Sequence, residues 1–265
     1  MKPARIRRFF PKSLFCLVLI TPLVLADGVQ GQDLSVHQRL GSMHGFLTLR
    51  DQSGSILAGG DLTLVPNGDK IKLRIIFHFR DGSLNDETTV FSQNKALRLI
   101  SDRLVQKGRS FPHPCEISID VPSQQVAVRD LSKAGEAPRI EHMDLPPDLA
   151  NGIIFFLIMN LPSDAPKIQF PYLSPSLKPR MVKLAVTADG KEPFKLGGLR
   201  YQALKYDVKV NIGGVAGVVA PAIGKQPPDS YLWVTEGIAP AIVRIDTSLY
   251  EEGPVWSIRL ASPVW

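Results

Sequence analysis

Period-two alternation of apolar and polar residues is the strongest signal in this chain. In IKLRIIFHFR, Ile71, Leu73, Ile75, Phe77 and Phe79 fall on one side, while Lys72, Arg74, His78 and Arg80 fall on the other. Ile76 is the only break. Such alternation predicts a strand with one face in a core and one in water. DLTLV (61–65) precedes it, joined by Pro66-Asn67-Gly68-Asp69, and Asn-Gly is suited to a tight hairpin turn. Asp81-Gly82 marks the next turn. The pattern returns in CEISIDV (115–121), VAVRDL (126–131), MVKLAVT (181–187), LRYQALKYDVKVNI (199–212), YLWVTEG (231–237), AIVRID (241–246) and VWSIRLA (255–261). MVKLAVT is expected to end at Ala188-Asp189-Gly190-Lys191. ALRLISDRLVQKG (96–108) fits either period, and strand is preferred. Strands at this spacing, separated by turn residues, predict a mainly β, antiparallel fold.

One segment breaks the pattern. DLPPDLANGIIFFLIMNLP (144–162) opens with two prolines and Asp148, a residue suited to capping a helix. Ile153 to Leu161 would then be apolar almost all round, so the helix, placed near 148–161, must be buried on every side. The expected architecture is a strongly curved antiparallel sheet, a half-barrel, wrapped around this one buried apolar helix. APKIQFPYLSPSLKPR (165–180), with its four prolines, reads as an extended surface loop.

YLWVTEGIAPAIVRID resembles the Trp-then-Pro hairpin of an uncharacterised family of bacterial periplasmic domains, and PPDLANGIIFFLIMNLP is similar to the helix those domains clasp. That half-barrel is in turn similar to the lipoprotein-localisation carriers, which hold acyl chains between sheet and helix. The resemblance spans residues 70–260 in outline and implies a carrier-like binding function. It transfers no individual ligand residue, and the carriers offer no counterpart to FRDGSLNDETTVFSQ (79–93) or GGVAGVVAPAIGK (213–225).

The first 26 residues change the reading of charge. MKPARIRRFFPKS holds Lys2, Arg5, Arg7, Arg8 and Lys12 without an acid, and LFCLVLITPLVLA follows, too short for the roughly 20 residues of a bilayer span. With a small residue at Ala26, this is the plan of a cleavable signal peptide. Arg7-Arg8-Phe9-Phe10-Pro11-Lys12 resembles a twin-arginine signal, but the very apolar stretch behind it favours the general secretory route. Cys16 has no lipoprotein-type setting, so the expected product is exported, periplasmic or extracellular, and not lipid-anchored. Residues 27–265 would form a single β-rich domain.

The formal net charge of the whole chain is +6, from 31 basic and 25 acidic residues. Without residues 1–26, 26 basic side chains face 25 acidic ones, and no basic run remains. Nucleic acid, which needs a concentrated basic surface, is therefore not an expected partner. Only Cys115 survives cleavage, so no internal disulfide can staple the fold.

Few motifs survive inspection. Gly224-Lys225 is no phosphate loop, because Val219 stands where the first glycine belongs and Gln226 where the hydroxyl belongs. Val215, Val218, Val219 and Ile223 either fold under the sheet or form an apolar flap over a ligand or at a membrane interface. Asp81, Asp86 and Glu87 miss the spacing of a calcium loop and read as a solvated hairpin loop. His113-Pro114-Cys115-Glu116, with Glu141 or His142, lacks the paired spacing of structural zinc sites, so no metal is expected. His44 reads as a turn residue and His78 as an exposed strand residue. No G-x-S-x-G elbow occurs, and the GSMHG of residues 41–45, which precedes the recognisable fold, has the letters in the wrong order.

These readings converge on a non-enzymatic module that binds an apolar or amphiphilic ligand, such as an acyl chain, and needs no cofactor. Phe77 and Phe79 on a strand, Phe155, Phe156 and Met159 on the helix, and Val215, Val218, Val219 and Ile223 would line its site. An envelope-interaction protein with a filled core and a secreted hydrolase are the alternatives. Oligomeric state is not legible.

Overall fold

A computed structural model describes residues 34–162, 164–196, 199–213, 227–237 and 240–261. Among them, eight strands come first: β1 (Met43–Arg50), β2 (Ile56–Asn67), β3 (Lys70–Phe79), β4 (Leu84–Ser92), β5 (Arg98–Lys107), β6 (Cys115–Asp120), β7 (Gln125–Asp130) and β8 (Arg139–His142). A short helix, α1 (Ile154–Met159), follows. Six more strands complete the chain: β9 (Ile168–Leu173), β10 (Met181–Leu196), β11 (Leu199–Asn211), β12 (Ser230–Thr235), β13 (Ile242–Thr247) and β14 (Trp256–Leu260).

All fourteen strands belong to one open antiparallel sheet of order β8-β7-β6-β5-β4-β3-β2-β1-β14-β13-β12-β11-β10-β9. It consists of two meanders joined where β1 pairs with β14, Leu47 opposite Leu260 and Leu49 opposite Ile258. The edges, β8 and β9, are neighbours in sequence, and the segment that carries α1 connects them.

The alternation of β3 is realised residue by residue. Ile71, Leu73, Ile75, Phe77 and Phe79 are buried, Lys72, Arg74 and His78 are exposed, and Ile76 is half-buried. Outside, Arg74 grips Asp86 on β4 through two hydrogen bonds of 2.8 Å. The β2–β3 loop is Gly68-Asp69, one residue later than Asn-Gly would place it. Asn67 pairs with Lys70, and Gly68 takes the positive φ, 61°. The 96–108 segment is a strand, as preferred.

Four expectations need correction. Asp86 and Glu87 do not lie in a solvated hairpin loop over 79–87: only a short turn at residues 80–83 separates β3 from β4, and β4, which carries both, pairs with strands on both sides. The proline-rich stretch 165–180 contains β9, whose Pro171 is tolerated because β9 is an edge strand. β10 does not end at Asp189-Gly190, which instead form a bulge with Gly190 at φ 79° before pairing resumes at Lys191. His44 lies in β1, pairs across to Thr63 and hydrogen-bonds Asp61 Oδ1 from Nε2 at 3.0 Å.

α1 is shorter than 148–161 and starts without a side-chain cap, at Ile153 and not at Asp148. The preceding residues are spent on turns. Leu149 N–H donates to Pro146 O, Ile153 N–H donates to Ala150 O, and Gly152 adopts φ 64°. Asn160 ends the helix. Its Nδ2 donates to Phe156 O, and its Oδ1 accepts the backbone N–H groups of His37 and Gln38. Ile154, Phe156, Leu157 and Ile158 are buried, while Phe155 and Met159 are half-buried. Among the described residues, no helix is long and apolar enough to cross a membrane.

Candidate functional site

The site begins with a reversal of the usual strand pattern. On β4 the inward positions are Asn85, Glu87, Thr89 and Phe91, and the first three are polar. Across the ladder, Asn85 opposes Gln106, Glu87 opposes Leu104, and Thr89 opposes Asp102 on β5. The pairs at either end are hydrogen-bonded: Gln106 Nε2 donates to Asn85 Oδ1 at 2.8 Å, and Thr89 Oγ1 donates to Asp102 Oδ1 at 2.7 Å. Gln106 Nε2 also donates to Leu249 O, from the β13–β14 connection, at 2.6 Å.

The middle pair differs. Glu87 has no hydrogen-bond partner of its own among the described residues, and its side chain borders a cavity of about 920 Å³. Asp102 borders the same cavity, as does Tyr172 on β9. The remaining wall is largely apolar, with Leu104, Ile117, Phe155, Leu184, Val208 and Leu232 among its members. The strands facing this space come from both meanders. Arg180 stands at the border, hydrogen-bonded to Glu251.

The electrostatics follow from burial. Removal from water pushes the Asp102 carboxyl up to about 6, against the pull of the Thr89 hydroxyl and the Arg103 backbone N–H. Glu87 is pushed up to about 8, first by burial and then by the nearby charge of Asp102. The Tyr172 phenol is pushed upward by burial and by both carboxylates. Burial therefore opposes ionisation of both carboxyls, more strongly at Glu87, which lacks the hydroxyl donor that Asp102 has in Thr89.

Gly152, in the turn before α1, presses against this acidic wall. A Cβ there would meet Thr89 Oγ1 at 2.1 Å and Asp102 Oδ1 at 2.9 Å. Asn151 ties the same turn to β9. Its Nδ2 donates to Leu173 O at 2.9 Å, and its Oδ1 accepts Leu173 N–H at 2.8 Å.

The residues expected to line a site are dispersed. Phe155 borders the cavity. Phe156 does not; it stacks on Phe91 with ring centroids 5.7 Å apart, inside the core. Phe77 is fully buried beneath Gly60, and Phe79 packs against Phe111 and Trp256. Met159 borders a smaller cavity, about 370 Å³, with His37, Tyr206 and Glu236. Val215, Val218, Val219 and Ile223 lie outside the described residues, although Ile212 and Pro227 on either side both border the large cavity.

Cys115 and Glu116 point to opposite faces of β6. The thiol is buried and pushed up to about 11, whereas Glu116 pairs outside with Arg103 and Arg129. His78, His113 and His142 are not among the residues bordering either cavity.

Asp102 and Tyr172 escaped the sequence reading, and Glu87 is read there as part of a solvated hairpin loop. A polar residue at an inward position looks like a solvent-facing one unless the parity of the strand is known. No family model, no curated protein and no solved structure matches the chain.

Proposed function

We propose that the sheet curls until its two wings face each other across α1, and that the enclosed space holds an apolar or amphiphilic ligand without chemical conversion. One observation carries this reading: a single cavity is bordered by Ile117 and Ile119 on β6 and by Tyr172 on β9. These strands stand near opposite ends of the strand order. In a flat sheet they would lie about 50 Å apart, at the usual strand spacing. That they border one volume of about 920 Å³ supports a strongly bent sheet. Volume and lining suit a ligand of drug or lipid-chain size.

Two sequence features agree with this reading. The resemblance of the 144–162 and 231–246 stretches to carrier-like half-barrels points to the same geometry, and residues 1–26 have the plan of an export signal. The module would then serve outside the cytoplasm.

Native mass spectrometry of protein purified from its producing cells without detergent tests the proposal. A bound species of a few hundred daltons, released on denaturation, is expected. An unliganded mass, together with no uptake of decanol, decylamine or decanoate in calorimetry, would overturn it and favour an envelope-interaction protein.

A further inference from the structure

We propose that the ligand's polar end is a cationic, hydrogen-bond-donating group, an ammonium in the simplest case, seated between Glu87 and Asp102; this rests on the cavity reading above. A space built only to hold a hydrocarbon chain would be better served by Leu or Ile at these positions, because a buried carboxyl loses its hydration. Here two inward carboxyls stand on adjacent strands, Glu87 on β4 and Asp102 on β5. Asp102 is 5% exposed and satisfied on one oxygen by Thr89. Glu87 has no donor among the described residues and faces the cavity.

Among the described residues, the rest of the lining leaves this negative charge uncompensated. The described charged residues that border the cavity are Glu87, Asp102, Glu251, Glu252 and Arg180, and Arg180 is committed to Glu251. Tyr172 from β9 and Tyr250 from the β13–β14 connection add phenols that stay neutral at physiological pH. α1 contributes no titratable side chain. A fatty acid or phosphate head group at the carboxyl pair would meet like charge in a low dielectric, where repulsion is strongest. An ammonium would supply the donors that Glu87 lacks, and charge-assisted hydrogen bonds are the stronger kind. Leu104, Ile154, Phe155 and Val208 would then receive the hydrocarbon part.

Binding of a cation favours the ionised carboxyls, so affinity for an ammonium rises as pH climbs from 5 to 8. A neutral ligand of the same length shows no such rise.

The test is isothermal titration of the folded chain with decylamine, decanol and decanoate, each below its micelle concentration, at pH 5.5 and pH 8. Decylamine is expected to bind tightest at pH 8, and E87Q to weaken decylamine by about tenfold, one charge-assisted bond's worth, while leaving decanol within twofold. D102N, equal in shape to the native side chain, is expected to act in the same direction. If decanol matches decylamine and E87Q changes neither, the head-group inference fails and the cavity reading stands. If decanoate binds best, the head-group inference fails in the opposite sense. If none of the three binds, the head-group inference fails, and the cavity reading falls with it when the native mass is unliganded as well.

Discussion

Thr89 and Asp102 are register partners on adjacent strands, and the threonine hydroxyl donates to the aspartate at 2.7 Å inside the protein. This bond holds Asp102 closer to ionisation than its burial alone would allow. Glu87, two residues along β4, has no equivalent donor and is displaced further. The pair's behaviour with pH follows from that difference.

A carboxyl whose folded value is raised binds more protons folded than unfolded. Its stabilising contribution is complete below the unfolded value, near 4, and is lost as pH rises through the folded value. For this pair the loss runs from about pH 4 through about 6 for Asp102 and about 8 for Glu87. Asp51, Asp81, Asp120 and Asp130 are shifted downward by hydrogen bonds and act in the opposite sense at lower pH, so the variant must be compared with the wild type at each pH. The melting temperature of E87Q relative to wild type is expected to climb between pH 5 and pH 9. A difference that stays constant over that range would show that Glu87 titrates normally.

Gly152→Ala tests the seat of α1 on the acidic wall. The glycine has φ 64°, and a Cβ would strike Thr89 and Asp102. Gly54 has φ 87° but open space around it, so Gly54→Ala suffers only the backbone strain, about 1 kcal/mol. Gly152→Ala adds displacement of a buried polar pair and is expected to lose about 2–4 kcal/mol, read by urea denaturation. Equal losses in the two variants would place the turn away from the wall.

Phe155 and Phe156 are adjacent in sequence yet have separate duties. Phe156 is buried and stacked on Phe91, so Phe156→Ala is expected to lose about 3–5 kcal/mol. Phe155 is half-buried and borders the cavity, so Phe155→Ala is expected to lose less than about half of that and to weaken decanol and decylamine alike. Denaturation and calorimetry on both variants separate the two roles.

The pattern of β3 was readable because every inward residue is apolar. β4 and β5 were not, and the reason is local. β4 carries polar residues inward at 85, 87 and 89. In β5 the partner register jumps, Phe91 pairing with Leu99 and Val90 with Ser101, so Ile100 is an extra residue in the ladder. Leu99 and Asp102, three apart, thus both become buried, which blurs period two, and the helical spacing of Leu97, Ile100 and Leu104 runs through Ile100, the extra residue itself. β9 was hidden by Pro171, which a central strand would exclude but an edge admits. The 144–162 segment gave the position of α1 correctly, and its length poorly, since Gly152 diverts the chain into turns first. No periodicity could announce Tyr172 as a neighbour of Glu87, because their strands lie in different meanders.

Among the named strands, every pairing except one joins consecutive neighbours along the chain. Each meander can therefore zip hairpin by hairpin at small entropic expense, and only β1 against β14 demands that distant segments find each other. That seam is where assembly becomes cooperative: until Leu47 meets Leu260, the molecule is two ribbons without a common interior. A new chain start cut into a hairpin elsewhere, with β1 and β14 linked covalently, would turn the slow encounter into a local one and speed folding.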